Sequence, residues 1–141
     1  MTVKEIMTKE VITVSPGASL KEIGEILKEK RISGVPVVEE GKILGVITLT
    51  DLLRILNHIY EWKNLESKMK ELNLSEMFEE EKLKSKASDL MSRDVFTLNE
   101  DDSLDEVMRL MFAKKIHTLP VVKDGALIGI VGKRDLIYAC F

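Results

Sequence analysis

The chain has 141 residues, of which 45% are apolar, and its net charge is −3. This length suits one domain or two very small ones. The slightly acidic balance excludes a general attraction to nucleic acid or to an anionic membrane. No apolar run reaches the roughly 18 residues that a membrane-spanning helix requires. Cys140 is the single cysteine, so the chain can form no internal disulfide and has no cysteine and histidine cluster for zinc.

These features predict a cytoplasmic protein without a cofactor or a structural metal. The first ten residues also lack the apolar core of a signal peptide. The sequence contains no glutamine and is rich in lysine and glutamate. This bias favours a heat-loving source, because thermophilic proteins use charged residues in place of thermolabile amides.

The sequence contains an internal repeat. A shift of 84 residues superimposes residues 3–57 on residues 87–141 without a gap, and 15 of the 55 pairs are identical. The identical pairs include proline, glycine and aspartate in register, which chance rarely produces. We therefore divide the chain into a first repeat over residues 1–57, a helical connector over 58–86 and a second repeat over 87–141.

Each repeat begins with a short helical turn and a short strand. In the first repeat the turn is "TVKEIM", where Thr2 and Glu5 fit a capping box. The β-rich segments "VITV" (11–14) and "VFTL" (95–98) then predict one strand in each repeat.

An amphipathic helix and a hairpin follow. Apolar residues recur at helical spacing after Ser19 and after Ser103, and both serines suit the N-cap position. Two apolar strands then flank a tight turn, for which Asp124-Gly125 is a strong signal. Asp51 and Asp135 open the last helix of each repeat. The pattern β-α-β-β-α, written twice, predicts an α+β (mixed α/β) fold.

The connector belongs to neither repeat. Helical spacing continues from Asp51 through Leu72, and we expect a break near Asn73 before the helix "LSEMFEEEKLKSK". Its alternating charges are typical of a solvated face. The alternative is an exposed apolar contact for a partner, formed by Trp62, Met69, Met77 and Phe78.

The two repeats carry a family likeness. The segments "SGVPVV…GKILGVITLTD" and "HTLPVV…GALIGIVGKRD" resemble the cystathionine-β-synthase (CBS) domain, here as a tandem pair. The resemblance implies a regulatory module that binds AMP, ADP, ATP or S-adenosylmethionine in clefts between the repeats. Such pairs are usually appended to enzymes, channels or transporters, whereas this chain looks like a stand-alone pair.

The first candidate site is the end of the second hairpin strand, at Thr48, Thr50 and Asp51. Here a helix begins, and its free N–H groups together with threonine hydroxyls suit phosphate oxygens. An ionised aspartate accepts two hydrogen bonds, as a ribose diol requires. The structural alternative is that Thr50 is an N-cap and Asp51 only complements the helix dipole. The resemblance implies that Asp51, and equally Asp135, holds ribose.

Further candidates come from the central strands and the first strands. The segments Gly34-Val35-Pro36 and Thr118-Leu119-Pro120 begin the central strands, and the resemblance implies that their backbone contacts the adenine edge. Thr13 and Thr97 are polar positions among apolar ones, which the resemblance places toward the nucleotide. Plain strand geometry and β-propensity explain the same residues without a ligand.

The second repeat replaces hydroxyls by cations. Thr48, Leu49 and Thr50 correspond to Gly132, Lys133 and Arg134, while Ser33 corresponds to His117. Five residues of the second repeat can supply positive charge for a phosphorylated ligand, although each also suits a solvated surface: Lys114, Lys115, His117, Lys133 and Arg134. We therefore expect the cleft at Lys133, Arg134 and Asp135 to suit a longer polyphosphate than the cleft at Asp51 does.

Two classes of function fit these residues. The chain is predicted not to be an enzyme, because no serine, cysteine or histidine has an evident activating partner and no Walker-type loop is present. The leading hypothesis is a nucleotide-sensing regulatory module that acts on an unidentified protein. The alternative is a scaffold with empty clefts that binds a partner through the connector. A homodimer is predicted in either case, because two helices carry more apolar surface than one sheet face can cover. These residues are Met108, Met111 and Phe112 on the helix after Ser103, and Ile55, Ile59, Tyr60 and Trp62 on the helix after Asp51.

Overall fold

The computed structural model describes residues 1–66 and 74–141. The elements follow the duplicated order, with a connector between the two copies. They are α1 (Val3–Ile6), α2 (Leu20–Lys30), β1 (Gly34–Glu39), β2 (Lys42–Thr48), α3 (Leu49–Glu66), α4 (Leu74–Lys84), α5 (Ala87–Leu90), α6 (Leu104–Ala113), β3 (Thr118–Lys123), β4 (Ala126–Gly132) and α7 (Lys133–Tyr138). Mixed helix and strand in this order confirm the predicted α+β class.

Each repeat contains the predicted antiparallel hairpin, β1 with β2 and β3 with β4. The turn glycines Gly41 and Gly125 have φ of 78° and 81°, and the residue before each glycine is also left-handed. Two consecutive positive φ values match the twist of the strands, which is why a glycine stands in each turn. Both hairpins carry a register shift at the equivalent place, after Val37 and after Val121. The Asp124-Gly125 hairpin prediction is confirmed.

The predicted helix starts are confirmed by their hydrogen bonds. The backbone N–H of Glu22 donates to Ser19 Oγ at 3.2 Å, and the backbone N–H of Glu106 donates to Ser103 Oγ at 3.4 Å. In the leading turn, the backbone N–H of Thr2 donates to the Glu5 carboxylate at 3.1 Å. These contacts satisfy donors that would otherwise lack a partner at the helix N-terminus.

The strands predicted at residues 11–14 and 95–98 are wrong, because in each segment a single residue pairs with a strand. Val14 pairs in parallel with Val37, and Leu98 pairs in the same way with Val121. The N–H of Val14 donates to the carbonyl of Pro36 at 3.0 Å, and the N–H of Val38 donates back to Val14 at 2.9 Å. The next bond of a parallel ladder would need an N–H on Pro36, which proline lacks. The same proline stands in the second repeat, so both ladders stop there.

The leading segments exchange places between the repeats. Val3 of α1 is fully buried in the core cluster of the second repeat, beside Leu119 and Val131. Ala87 of α5 is fully buried in the core cluster of the first repeat, beside Ile47. Thr8 then pairs with Ile130 of β4, as its counterpart Ser92 pairs with Val46 of β2. The opening residues of each copy therefore complete the core of the other copy.

The strand glycines of both repeats allow this close approach. A Cβ on Gly45 would lie 2.7 Å from both Met91 Sδ and the carbonyl oxygen of Ser92. A Cβ on Gly129 would lie 2.6 Å from Met7 Sδ and 3.2 Å from the carbonyl oxygen of Thr8. Only a residue without a side chain fits where the exchanged segment crosses the strand.

The connector is helical where the structure describes it. α3 continues to Glu66, which confirms the extended helix as far as that residue, and α4 packs against α2 and α3. The predicted break near Asn73 falls outside the described residues, as do the side chains of Met69 and Met77. Trp62 is 55% exposed. Within residues 1–66 and 74–141, none of the helices is long and apolar enough to cross a membrane.

Candidate functional site: a pair of clefts between the repeats

The described residues enclose a pair of clefts where the two repeats meet. Cleft one, of about 440 Å³, contains Asp51. Cleft two, of about 420 Å³, contains Asp135. Both volumes lie in the range of small-molecule sites, roughly 300–1,000 Å³. Ser33, His117, Thr118 and Lys133 line both clefts and form what we call the shared wall.

Each cleft is built from both repeats. Cleft one takes Thr48, Thr50 and Asp51 from the first repeat and Val95 and Phe96 from the second. In cleft two the roles are exchanged, with Asp135 from the second repeat and Ile12 and Gly34 from the first. A ligand in either cleft would therefore contact both copies at once.

The carboxylate of Asp51 is held at the start of α3. Its Oδ2 accepts the backbone N–H of Thr48 at 2.8 Å and the hydroxyl of Thr48 at 3.1 Å. Its Oδ1 accepts from Arg54 Nη1 at 3.2 Å. Thr48 therefore caps this helix, whereas Thr50, the N-cap of the structural alternative, is exposed in the cleft. One carboxylate oxygen accepts hydrogen bonds from the cap, and the other is paired with an exposed cation, Arg54.

The carboxylate of Asp135 has an equivalent position with different partners. Its Oδ2 accepts the backbone N–H of Gly132 at 2.7 Å. Its Oδ1 accepts the hydroxyl of Thr8 at 2.9 Å. A carboxylate offers about four acceptor positions, so a further donor can still bind here.

The shared wall is asymmetric at its centre. Thr118 is a buried polar residue, 7% exposed, and its counterpart in the first repeat is Gly34. A Cβ on Gly34 would lie 2.8 Å from Thr118 Oγ1 and 3.1 Å from Thr48 Cγ2. The two central strands begin so close together that a side chain at position 34 would collide with the hydroxyl of Thr118.

Basic side chains surround both clefts, but not as the sequence predicted. Among the described residues, those lining cleft one are Arg54, Lys114, Lys115 and Lys133, against the carboxylates of Asp51 and Asp94. Those lining cleft two are Arg31, Lys133 and Arg134, against Glu10 and Asp135. The expected concentration of cations in the second cleft is wrong, because the lysines before β3 cross into the cleft of the other repeat.

A basic residue with a left-handed backbone follows the amphipathic helix of each repeat, α2 or α6. Arg31 follows α2 with φ of 53°, and Lys115, its counterpart after α6, has φ of 55°. A left-handed residue with a side chain is uncommon outside helix ends. Arg31 lines cleft two and Lys115 lines cleft one. The same turn therefore places one cation in each cleft.

Part of the predicted site does not line either cleft. Val35 and Leu119 are fully buried in the two cores, and Pro36 and Pro120 are buried beside them. Thr13 and Thr97 are exposed, whereas their neighbours Ile12 and Phe96 line the clefts. The predicted residues that do line a cleft are Gly34, Thr48, Thr50, Asp51, His117, Thr118, Lys133, Arg134 and Asp135.

Several residues that line the clefts are not among those predicted from the sequence. Arg31 was the counterpart of Lys115 in the repeat, so the alignment of the two copies contained the signal for it. Ser33 was paired with His117 in the same way. Arg54, by contrast, lies on an otherwise ordinary helix and corresponds to Tyr138. Nothing in its spacing distinguishes it from a solvated residue.

The chain belongs to the CBS domain family: the sequence model of the CBS domain matches residues 3–58 and 87–141. An uncharacterised protein of Methanocaldococcus jannaschii, MJ1426, is 33% identical over 153 residues, which cover 99% of this chain and 90% of that protein. Tandem repeats of this domain, with clefts between them, define the class of protein.

Solved CBS pairs have the same fold and some contain adenosine ligands. The structure of CBSX2 in complex with AMP, a protein of Arabidopsis thaliana, has a TM-score of 0.75 at 29% identity and covers 99% of this chain and 95% of that one. The CBS pair of MJ0100 in complex with 5′-methylthioadenosine and S-adenosyl-L-methionine has a TM-score of 0.73 at 29% identity, with the same coverage.

Other relatives are longer proteins. The chain spans 45% of the uncharacterised protein MJ1225 and 22% of an inosine-5′-monophosphate dehydrogenase, both from Methanocaldococcus jannaschii, at 28% and 34% identity. The match to the dehydrogenase is thus confined to about a fifth of that enzyme. In the part of the chain that the structure describes, no group of three histidine, cysteine or acidic side chains could hold a metal ion.

Proposed function

We propose that the protein is a non-catalytic regulatory module that senses an adenosine nucleotide in the clefts between its two repeats. The observation that carries this proposal is the doubled arrangement of a carboxylate from one repeat opposite the strand start and cations of the other. Each part matches a part of a nucleotide. The carboxylate suits the ribose diol, the basic side chains suit phosphate, and an apolar wall suits the base.

The apolar wall is present in both clefts. In cleft one Val95 and Phe96 line the side contributed by the second repeat. In cleft two Ile12, Ile32 and Ile130 line the cleft. Ligand sites combine such apolar surface with a small number of polar groups that fix orientation. This composition supports a nucleoside rather than a free phosphate as the ligand.

The charge of the clefts favours phosphorylated nucleosides. Cations exceed carboxylates in both linings, so AMP, ADP and ATP gain electrostatic attraction there. S-adenosylmethionine has a net positive charge, and only its carboxylate can gain attraction from these cations. The neighbouring structures with AMP and with S-adenosyl-L-methionine support adenosine as the common element.

A ligand that contacts both repeats stabilises one relative arrangement of the two. Binding can then shift the population between arrangements, and a regulated protein can respond to the favoured one. We therefore propose that the protein acts in the cytoplasm and regulates another protein that is not yet identified. We also propose a homodimer as the functional form.

A ligand panel tests the proposal. AMP, ADP, ATP, S-adenosylmethionine and the matching pyrimidine nucleotides are added in a thermal melt and in calorimetry. Ligand at about 100 times its Kd stabilises the folded state by about 2.7 kcal/mol. For a chain of this size the melting temperature then rises by on the order of 10 °C. Equal responses to cytidine and adenosine nucleotides, or no response at millimolar concentration, would refute adenosine sensing and favour the scaffold hypothesis.

A further inference from the structure

The shared wall contains a cationic residue, Lys133, that lines both clefts. Of the described residues that line both clefts, Ser33 and Thr118 have hydroxyl side chains, His117 is an imidazole and Lys133 is an ammonium. Lys133 is exposed and forms no ion pair with any residue that the structure describes. Its ammonium group is therefore free to bind an anion from either side.

This feature belongs to the second repeat alone. The counterpart of Lys133 is Leu49, which is 52% exposed and lines cleft one only. The next residues, Thr50 and Arg134, each line the cleft of their own aspartate. Each cleft therefore has cations that line it alone, such as Lys115 in cleft one and Arg134 in cleft two, and we call these the private cations. Among the described residues, Lys133 is the lysine or arginine that lines both clefts.

We propose that Lys133 is a phosphate-binding residue shared by both clefts, and that a phosphorylated ligand in one cleft thereby weakens the binding of a second one in the other. The inference rests on the proposed function for the identity of the ligand. Lysine has a flexible four-carbon stem and three donors on one point charge, so it can turn to either cleft. When one phosphate holds it, the other cleft loses its full contribution.

Electrostatics gives the coupling its sign. Each ligand alone has the whole of Lys133, whereas two ligands must divide it and also repel each other through their phosphates. Both effects oppose the second binding event. A ligand without phosphate, such as adenosine, engages neither effect. The coupling is therefore specific to phosphorylated ligands, and it is reciprocal between the clefts.

Single-cleft variants make the claim measurable. Asp51→Ala leaves cleft two for study, and Asp135→Ala leaves cleft one. In both backgrounds Lys133→Leu, which introduces the residue of the first repeat, should weaken AMP about three- to tenfold, between the effect of an exposed ion pair and that of a charged hydrogen bond. Arg134→Thr is the matched control, because it also introduces the residue of the first repeat but should act in cleft two alone.

The coupling is measured in the protein with both clefts intact. The second AMP should bind about fivefold or more weakly than in the corresponding single-cleft variant. Adenosine should show no such difference. In Lys133→Leu the difference in AMP affinity between the second site and the corresponding single-cleft variant should become smaller, because the two phosphates no longer compete for the lysine. An effect of Lys133→Leu in only one background, or in neither, would overturn the shared residue even if AMP binds well.

Inorganic pyrophosphate separates this proposal from the adenosine function. Backbone amide spectra of the labelled protein report on cleft one at Lys115 and on cleft two at Arg134 during the titration. Suppose that pyrophosphate perturbs the signals at both positions, that Lys133→Leu reduces both perturbations, and that AMP does not bind. This result would support the shared cation and refute the nucleotide function. Absence of binding for both AMP and pyrophosphate would refute both proposals.

Discussion

Thr8 and Asp135 are joined by a hydrogen bond of 2.9 Å between the threonine hydroxyl and Oδ1, although 127 residues separate them in the chain. The equivalent oxygen of Asp51 is held by Arg54 at 3.2 Å. The two carboxylates thus have the same position in their repeats but different partners, a neutral hydroxyl in one cleft and a cation in the other. A ribose diol would compete with a different group in each.

Replacement of either carboxylate should affect its own cleft. Asp51→Ala and Asp135→Ala are each expected to weaken AMP at one site by about 1.5–3 kcal/mol, the value of a hydrogen bond to a charged group. Because each aspartate also accepts a backbone N–H of its helix start, the free energy of unfolding should fall by about 1 kcal/mol. Calorimetry and urea denaturation measure the two effects separately. Two weakened sites in either single variant would contradict the assignment of one carboxylate to each cleft.

The private cations should distinguish ATP from AMP. Lys115→Ala in the Asp135→Ala background, and Arg134→Ala in the Asp51→Ala background, should each weaken ATP more than AMP. An exposed pair contributes roughly 0.2–1 kcal/mol, so the loss for ATP is about two- to fivefold. The dependence of ATP affinity on salt should decrease in parallel. Equal losses for AMP and ATP would show that these side chains do not contact the β- and γ-phosphates.

The strand glycines should resist substitution. Gly45→Ala places a Cβ within 2.7 Å of a backbone carbonyl and should lower the free energy of unfolding by about 1–3 kcal/mol. Gly129→Ala should lower it less, because the closest atom is the flexible end of Met7. Gly24→Ala is the control, since nothing lies within 4 Å and α2 should gain about 0.5–1 kcal/mol. Urea denaturation of the three variants checks this order.

The exchanged segment should stabilise the repeat that it enters. Val3→Ala removes two methyl groups from a fully buried site and should lower the free energy of unfolding by roughly 2 kcal/mol. Hydrogen exchange should increase in β3 and β4 before it increases in β1 and β2. The exposed neighbour Lys4 provides the control, and Lys4→Ala should change the free energy by less than about 0.5 kcal/mol. If hydrogen exchange instead increased first in β1 and β2, the packing of α1 against the second repeat would be contradicted.

The homodimer proposal rests on exposed apolar residues of α6 and α3. Phe112 is 74% exposed and Met108 is 44% exposed, whereas Met111 on the same helix is buried. Light scattering should give twice the chain mass of 16.0 kDa. Phe112→Lys, which introduces the residue of the first repeat, should shift the protein toward the monomer without lowering its melting temperature at high dilution. A monomeric mass for the unmodified chain at all micromolar concentrations would refute the dimer.

Local chemistry explains which predictions agree with the structure. Serine N-caps, turn glycines and helical spacing act within a few residues, so the sequence contains all that they require. The strand at residues 11–14 depends instead on Pro36, which blocks the ladder from a distant position. The cleft assignment of Lys115 depends on how two repeats meet. Such relations between distant segments cannot be derived from spacing along one chain.

The same limit applies to the site. The doubled aspartates and the substitution of Lys133 for a leucine were visible in the alignment of the two copies. That Lys133 borders both clefts was not visible, because the repeat pattern places it beside Asp135 only. Arg54 could not be recognised either, since its pairing with Asp51 is one of many possible contacts on a helix surface.

The exchange of leading segments gives the two repeats the contacts of a symmetric pair. Each copy gives its first residues to the other and receives the same in return, so the contacts are closed and isologous. Two separate chains with a single copy each could make every one of these contacts across a twofold axis. The connector over residues 58–86 joins the two copies into one chain. The two halves can therefore carry different residues at equivalent positions, which two identical chains cannot, and Gly34 opposite Thr118 is one such difference.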